Sequence, residues 1–256
     1  MNSTLVSDSI LARAFQSKEG LTEKIRKLIG PFQTVTSPTH ERILEKPNPP
    51  YIEELENALT KLPELLGTET PWLLGGAISI ALSAGEIYRK FSALRIILPP
   101  NNSLENLASN IEQKNYALFS RTWMIKYPKK REGRKEKFDV YLLITPNEAL
   151  TKKYENLRFV KLDRRKRILP HYNLLDYIDI EFLTVQKDNL VSNEGYIFKK
   201  NFCPEGKFYT LPSGKTIRLV HLEYIEQSII QRGRKNDSLD KEDLRIIELY
   251  RQKHWI

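Results

Sequence analysis

Two short apolar runs separated by a glycine pair and a helical stretch stand out in residues 71–98, PWLLGGAISIALSAGEIYRKFSALRIIL. The apolar runs at 72–74 and 95–98 predict buried strands, because a half-exposed strand would alternate apolar and polar residues. Small and aliphatic residues at 77–84 predict a helix packed closely against a sheet. Gly75 and Gly76 join the first strand to this helix, where the absence of a Cβ lets the backbone turn sharply and approach a ligand.

The rest of the chain shows further helical and strand patterns. Apolar residues at helical spacing predict a helix over 51–66, which Pro63 should kink or end early. Ser103 is a suitable N-cap for a helix over 104–113. Further patterns predict strands over 116–127, 137–145, 157–162 and 177–185, a hairpin over 206–220, and helices over 147–154, 221–231 and 240–254.

These elements divide the chain into three predicted parts. Residues 1–50 form an N-terminal arm and linker, with a short helix over 21–29 and a polar stretch over 33–50 that ends in Pro49-Pro50. Residues 51–155 form a core, and residues 156–256 form a C-terminal hairpin and helical part. The expected fold class is α/β or α+β, a small mixed sheet with helices packed against one face.

Net charge and residue composition indicate which kinds of partner this protein could bind. The formal net charge is +9, which favours a polyanion such as nucleic acid or a nucleotide phosphate, although a basic solubilising surface gives the same balance. Cys203 is the only cysteine, which suits a reducing, cytoplasmic setting, and with four histidines a transition-metal site is not expected. No apolar run approaches the ~20 residues of a membrane-spanning helix, so no membrane partner is expected.

Two basic clusters are the candidate nucleic-acid contacts. They contribute Lys129, Lys130, Arg131 and Arg134 from one connection and Arg164, Arg165 and Arg167 from another. Phosphates bind lysine and arginine, and nearby aromatic residues could stack on unpaired bases. The alternative is that both clusters are solvated loops and that the aromatic residues belong to the core.

The order strand, Gly75-Gly76, helix, then Arg89-Lys90-Phe91-Ser92 resembles the nucleotidyltransferase superfamily, in particular its minimal, abortive-infection toxin-like members. The resemblance covers roughly residues 51–145 and implies that the glycine amides approach nucleotide phosphates. Family members then carry Asp-x-Asp on the second strand, where the two carboxylates bind Mg²⁺. This chain has Ala93-Leu94-Arg95 instead, so a residue that cannot bind metal and a permanent cation occupy the two positions.

The remaining carboxylates offer alternatives for a catalytic site. Asp139, in FDVYLLI, matches the family's third acidic position, and Asp179, in YIDIEFL, is the alternative. Glu181 shares a strand face with Asp179, so the two could form a relocated pair. Alternatively, Asp179 and Glu181 are the solvated face of a half-buried strand, and Asp139 pairs with Arg95.

The resemblance also implies the nucleotide-binding residues, and it leaves three functions open. The candidates are Gly75, Gly76, Arg89, Ser92 and Arg95. An alternative for Arg89 is a solvated residue leading into a strand. The first function is a nucleotidyltransferase fold with a degenerate metal site that binds nucleotide or RNA phosphates.

The second function is an active enzyme that uses Mg²⁺ and a nucleoside triphosphate to modify RNA or protein through Asp139, Asp179 and Glu181. The third is a structural or interaction protein that keeps only the fold. RNA is a more expected partner than DNA, and a partner protein such as an antitoxin is compatible with the resemblance.

Overall fold

A mixed sheet of eleven strands and six α-helices make up the part of the chain that the structure describes. The structure, a computed structural model, describes residues 32–36, 46–67, 69–100, 103–126, 136–152, 154, 156–168, 173–233 and 237–254. The predicted helix at 21–29 lies outside the described residues, as do four of the predicted nucleic-acid contacts, Lys129, Lys130, Arg131 and Arg134.

The strands and helices follow the chain in a mixed order. The strands are β1 (Phe32–Thr36), β2 (Leu73–Gly75), β3 (Leu94–Leu98), β4 (Tyr116–Lys126), β5 (Glu136–Leu143), β6 (Leu157–Lys161), β7 (Tyr177–Gln186), β8 (Asn189–Ser192), β9 (Ile197–Lys199), β10 (Glu205–Thr210) and β11 (Thr216–Val220). The helices are α1 (Pro49–Leu66), α2 (Gly76–Ala84), α3 (Leu104–Glu112), α4 (Pro146–Thr151), α5 (Leu222–Arg232) and α6 (Ser238–His254). The α/β class predicted from the sequence is therefore confirmed.

The main path of the sheet mixes early and late strands. Its order is β1-β5-β4-β6-β7-β3-β2-β11-β10, with β8 paired to β7 and β9. The pairs β3–β7 and β2–β11 are parallel, and the other pairs are antiparallel. Strands β6 and β7 lie between β4 and β3, so both sides of the predicted boundary at residue 155 contribute to one sheet.

Helices cover both faces of this sheet, whereas the sequence predicted helices on one face. Leu59 of α1 and Leu107 of α3 belong to a core that includes Ile96 of β3. Ile97, the next residue of β3, belongs to a second core with Ile225 of α5. Successive strand residues point to opposite faces, so the uninterrupted apolar run of β3 buries both sides. The prediction of one covered face is therefore wrong.

Two local predictions also differ from the structure. Residues 33–36 were expected in a linker, but they belong to β1, which pairs antiparallel with β5; Thr34 and Val35 are β-branched, as suits a strand. Helix α1 also continues past Pro63 to Leu66, and the Pro63 carbonyl accepts a hydrogen bond from the Gly67 amide.

The predicted cap of α3 is confirmed, because the Ser103 side chain accepts a hydrogen bond from the Asn106 amide. Within the described segments, none of the helices combines the length and apolarity that crossing a membrane requires.

Candidate functional site

A cavity of about 210 Å³ lies where β2 passes into α2, beneath helices α5 and α6. Its polar wall includes Gly76, Arg89, Arg95 and Asp179, and its apolar wall includes Ile229. The cavity therefore collects predicted nucleotide-binding residues from the segment 75–95 and one predicted carboxylate from β7.

The glycine pair is explained first by packing. Gly75 lies opposite Arg95 in the β2–β3 pairing, and a Cβ on Gly75 would stand 2.7 Å from Cδ1 of Ile97. Gly76 opens α2 with φ +66°, a conformation that favours glycine. Gly75 supplies no side-chain cap to α2, so the unpaired amides of the first turn lie beside the cavity.

Arg95 extends from β3 toward two glutamates. Its Nη1 lies 3.5 Å from Oε2 of Glu181 and 3.4 Å from Oε2 of Glu194. Both contacts use the same nitrogen, and the Arg95 side chain remains 24% exposed. Glu194 and then Glu181 raise the pKa of Arg95 above its ordinary value, despite the opposing effect of burial. Arg95 is thus a fixed cation that is not held in a bidentate pair.

Glu181 is a buried acid, with a side chain only 2% exposed. The Tyr224 hydroxyl donates a hydrogen bond of 2.6 Å to its Oε1. Burial raises the pKa of Glu181 to about 7, with a further contribution from Glu194 and opposing contributions from Arg95 and Tyr224. The expectation that Glu181 belongs to a solvated strand face is wrong, because the side chain is enclosed by β8 and α5.

Asp179 is held between two arginines. Its Oδ1 lies 2.5 Å from Nε of Arg158, and the guanidinium of Arg158 also donates to the Tyr141 hydroxyl at 3.3 Å. Burial acts to raise the pKa of Asp179, but Arg158 and Arg95 outweigh burial and hold that pKa below its ordinary value. Asp179 is therefore an ionised partner of arginine rather than one of two solvated acids.

The third predicted carboxylate lies elsewhere in the sheet. Asp139 is on β5, which β4 and β6 separate from β7, and its Oδ1 lies 3.0 Å from Nη2 of Arg121. The structure thus brings Asp179 and Glu181 together beside Arg95 but does not bring Asp139 to them. The expected alternative of an Arg95–Asp139 pair is also wrong, because each residue has a different partner.

These side chains do not fit a divalent cation. Mg²⁺ binds carboxylate oxygens that it can approach without a competing charge. Here guanidinium groups engage Asp179 and Glu181, and the permanent charge of Arg95 would repel a metal ion at the same place. Nowhere among the described residues do three or more histidine, cysteine, aspartate or glutamate side chains form a group that could hold a metal ion.

Arg89 anchors a helix beside the cavity. Its Nε and Nη2 donate to the two carboxylate oxygens of Asp243 on α6 at 3.1 and 3.0 Å, and the Tyr88 hydroxyl donates to the same carboxylate at 2.7 Å. Arg89 is buried, so the expectation of a solvated arginine is wrong. Ser92 is exposed at the cavity wall, and its predicted ligand role stays a prediction.

Several charged residues of this site were not predicted from the sequence. They are Arg158, Glu194, Asp240 and Asp243. A signal existed for two of them, because Asp240 and Asp243 share the helical stripe of the buried Ile247, and an acid on a buried stripe indicates an ionic partner. Arg158 likewise interrupts an apolar strand, whereas Glu194 lies in a turn without any such pattern.

The second basic cluster lies at the same end of the sheet as the cavity. It occupies the turn after β6, where Arg164 and Arg165 are exposed and Arg167 pairs with Asp163 at 3.0 Å. The last residues of β6 pair with the first residues of β7, and the first residues of β3 pair with the same part of β7. The turn is therefore two strands away from β3, about 10 Å across the sheet.

No protein-family model, curated protein or solved structure matches this chain.

Proposed function

We propose that this protein binds a phosphate group of a nucleotide or of RNA in the cavity beside Arg95, without metal-dependent nucleotidyl transfer. The observation that carries the proposal is the position of Arg95, opposite Gly75 in the strand pairing and at the wall of the cavity. Its guanidinium is partly exposed and is held at 3.4–3.5 Å by one nitrogen only. Charged nitrogens of this kind bind phosphate oxygens well.

The surroundings of Arg95 suit an anion such as phosphate, and three of the four aspartates that line the cavity, Asp179, Asp240 and Asp243, pair with arginines, while the fourth is Asp237. Amides of the first turn of α2 border the same cavity, and helix N-termini favour phosphate oxygens. Ser92 adds a hydroxyl to the wall, and Arg232 adds a second guanidinium, 24% exposed, although Asp240 contacts it at 3.0 Å. Arg89 pairs with Asp243 through two nitrogens, and its role in this proposal is to position α6 at the wall of the cavity.

Charge pairing favours binding over catalysis. Two-metal catalysis needs carboxylates that are available to metal ions. Asp179 contacts Arg158, and Glu181 contacts Arg95 and Tyr224. In the proposed function Arg95 supplies the positive charge that a metal ion would otherwise supply to the phosphate.

RNA is the favoured macromolecular partner within this proposal. The exposed Arg164 and Arg165 lie at the end of the sheet that carries the cavity. A single RNA strand could therefore contact both the cavity and these two arginines. Single-stranded RNA bound through phosphates would lose affinity steeply with added salt.

The test is calorimetric titration of the full-length protein with ATP, with and without Mg²⁺. Binding should be present without Mg²⁺ and should weaken at least tenfold in the variant Arg95→Gln, a loss of about 1.4 kcal/mol of binding free energy. The matched control is Arg245→Gln, which removes an exposed arginine of α6 outside the cavity wall and should change the affinity little.

Two results would overturn the proposal. ATP binding that requires Mg²⁺ and is followed by transfer of a nucleotide to RNA or protein would indicate an active enzyme. Absence of both ATP and RNA binding would leave a structural or interaction protein that keeps the fold alone.

A further inference from the structure

Two carboxylates and one guanidinium form an unbalanced group at the cavity wall, where Arg95 lines the cavity and the two glutamates contact Arg95 from outside the lining. Glu181 and Glu194 both face Nη1 of Arg95, and their side chains are only 2% and 11% exposed. With both glutamates ionised, two negative charges oppose one positive charge, so the group carries one net negative charge. Solvent screens this excess weakly, because the two acids are enclosed.

The other charged groups near Glu181 do not neutralise the net negative charge of this group. Asp179 and Arg158 form a pair of their own, as do Arg232 and Asp240. The Tyr224 hydroxyl donates to Glu181 and remains neutral, because burial keeps its pKa well above the ordinary value. The charged or titratable groups that act on Glu181 are Arg95 on β3, Glu194 after β8 and Tyr224 on α5. Those that act on Arg95 also include Asp179 on β7, Tyr196 after β8 and Arg232 on α5.

The size of the cavity limits what it can enclose. About 210 Å³ is below the ~300–1,000 Å³ of pockets that enclose whole small-molecule ligands. A phosphate group fits this space, while the nucleoside or the rest of an RNA strand would remain outside it. The anion would then lie beside Arg95, the guanidinium that both glutamates also contact.

We propose that the cavity takes up a phosphate group together with one proton, which moves from solvent to the carboxylate of Glu181. The inference rests on the proposed function, because it requires the phosphate to bind at Arg95. Protonation of Glu181 raises the net charge of the group from minus one to zero. The positive charge of Arg95 is then opposed by Glu194 alone, and Arg95 can attract the phosphate more strongly. Glu181 is the acceptor because it is the more enclosed acid, and its pKa of about 7 makes the proton available near neutral pH.

The coupling of phosphate binding to proton uptake predicts how the affinity for phosphate depends on pH. A phosphate bound to Arg95 adds negative charge to the group that contains Glu181 and so disfavours the ionised carboxylate. The bound state therefore holds more protons than the free state above pH 7. The affinity should therefore fall as the pH rises, by up to about tenfold per pH unit when one proton is coupled.

The experiment is calorimetric titration with ATP, without metal ions, in two buffers of different ionisation enthalpy at several pH values between about 6 and 8.5. The wild type is compared with Glu181→Gln, whose amide oxygen can still accept the Tyr224 hydrogen bond. The difference between the two proteins cancels the titration of ATP itself. The wild type should take up about one more proton than the variant near pH 8, where the free carboxylate is almost fully ionised, and the variant should bind with little dependence on pH beyond that of ATP.

Controls separate the two proposals. Glu242→Gln, a change at a partly exposed residue of α6 outside the cavity lining, should behave like the wild type. If Glu181→Gln does not fold, Glu194→Gln replaces it, because one carboxylate facing one arginine should no longer take up a proton near neutral pH. ATP binding with equal proton uptake in wild type and variant would overturn this inference and leave the proposed function standing. No ATP binding at any pH would overturn this inference, and the proposed function would fall with it only if RNA binding were absent as well.

Discussion

Arg95 on β3 lies directly opposite Asp179 on β7 in the parallel pairing of the two strands. On the other side of Asp179, Arg158 of β6 occupies the opposing position. Positive, negative and positive side chains thus alternate across three neighbouring strands on one face of the sheet. This alternation explains how a buried sheet face tolerates acids without a metal ion, because each charge has a partner on the adjacent strand.

The charge of Arg95 should stabilise the fold in a pH-dependent way. Arg95→Met leaves Glu181 and Glu194 enclosed without their shared cation, which should cost about 3–5 kcal/mol of unfolding free energy at about pH 8. At about pH 5 the cost should be smaller, because a raised pKa allows Glu181 to become neutral. Urea unfolding at both pH values measures the difference. An equal loss at the two pH values would show that the glutamates do not depend on Arg95.

Wild-type stability should itself decline toward neutral pH because of Glu181. The pKa of this acid is about 7 in the folded protein against an ordinary value of 4.5. Between these values the unfolded chain has released the proton that the folded protein still holds, so raising the pH favours unfolding by up to about 1.4 kcal/mol per pH unit. Below 4.5 and above about 7 this contribution is constant. The unfolding free energy of Glu181→Gln should lack this dependence on pH. If the variant keeps the full dependence, another titratable group is responsible for it.

Packing against Ile97 should limit substitution of Gly75. In Gly75→Ala the new Cβ would stand 2.7 Å from Cδ1 of Ile97, which is too close, and should cost about 1–3 kcal/mol of unfolding free energy. Ile97→Val removes that methyl group, so the double variant should lose less stability than the sum of the two single changes. A double-mutant cycle measured by urea unfolding checks the coupling. Strict additivity would mean that the turn, rather than Ile97, requires glycine.

The sequence pattern predicted which face of a strand each residue occupies better than it predicted which elements lie next to one another. Ile178 and Ile180 lie together on one face of β7, and Asp179 and Glu181 lie on the other, where both act on Arg95, as their alternation predicts. The partners of those acids could not be predicted in the same way, because Arg158 and Glu194 come from other elements. Strand order sets such contacts, and period-two alternation carries no information about order. Asp139 illustrates the limit, since its strand pattern was correct but its strand lies three places from β7.

The Arg89–Asp243 pair should contribute strongly to stability. Asp243→Asn removes a buried charge that accepts hydrogen bonds from Arg89 and Tyr88, and leaves the guanidinium enclosed without its counter-ion. We expect a loss of about 3–5 kcal/mol of unfolding free energy. The neighbouring change Glu242→Gln is the matched control, because Glu242 pairs with Arg245 at the surface and should lose less than about 1 kcal/mol. Equal effects of the two variants in thermal or urea unfolding would contradict a structural role for Arg89.

Arg164 and Arg165 should contribute to RNA binding through charge alone. Each phosphate contact that is lost from single-stranded RNA lowers the slope of log affinity against log salt by about 0.7, so Arg164→Ala with Arg165→Ala should reduce the slope by about 1.4. Lys199→Ala with Lys200→Ala removes the same charge from exposed residues at the end of β9. Strand β9 pairs with β8, which runs alongside the last residues of β7, away from the first residues of β7 that adjoin the Arg164 turn. Affinities for a short unpaired RNA, measured at four or more salt concentrations, separate the two pairs of changes. A similar reduction in both would indicate general attraction to a basic surface, whereas a reduction confined to the first pair would indicate an RNA path along the end of the sheet that bears the cavity.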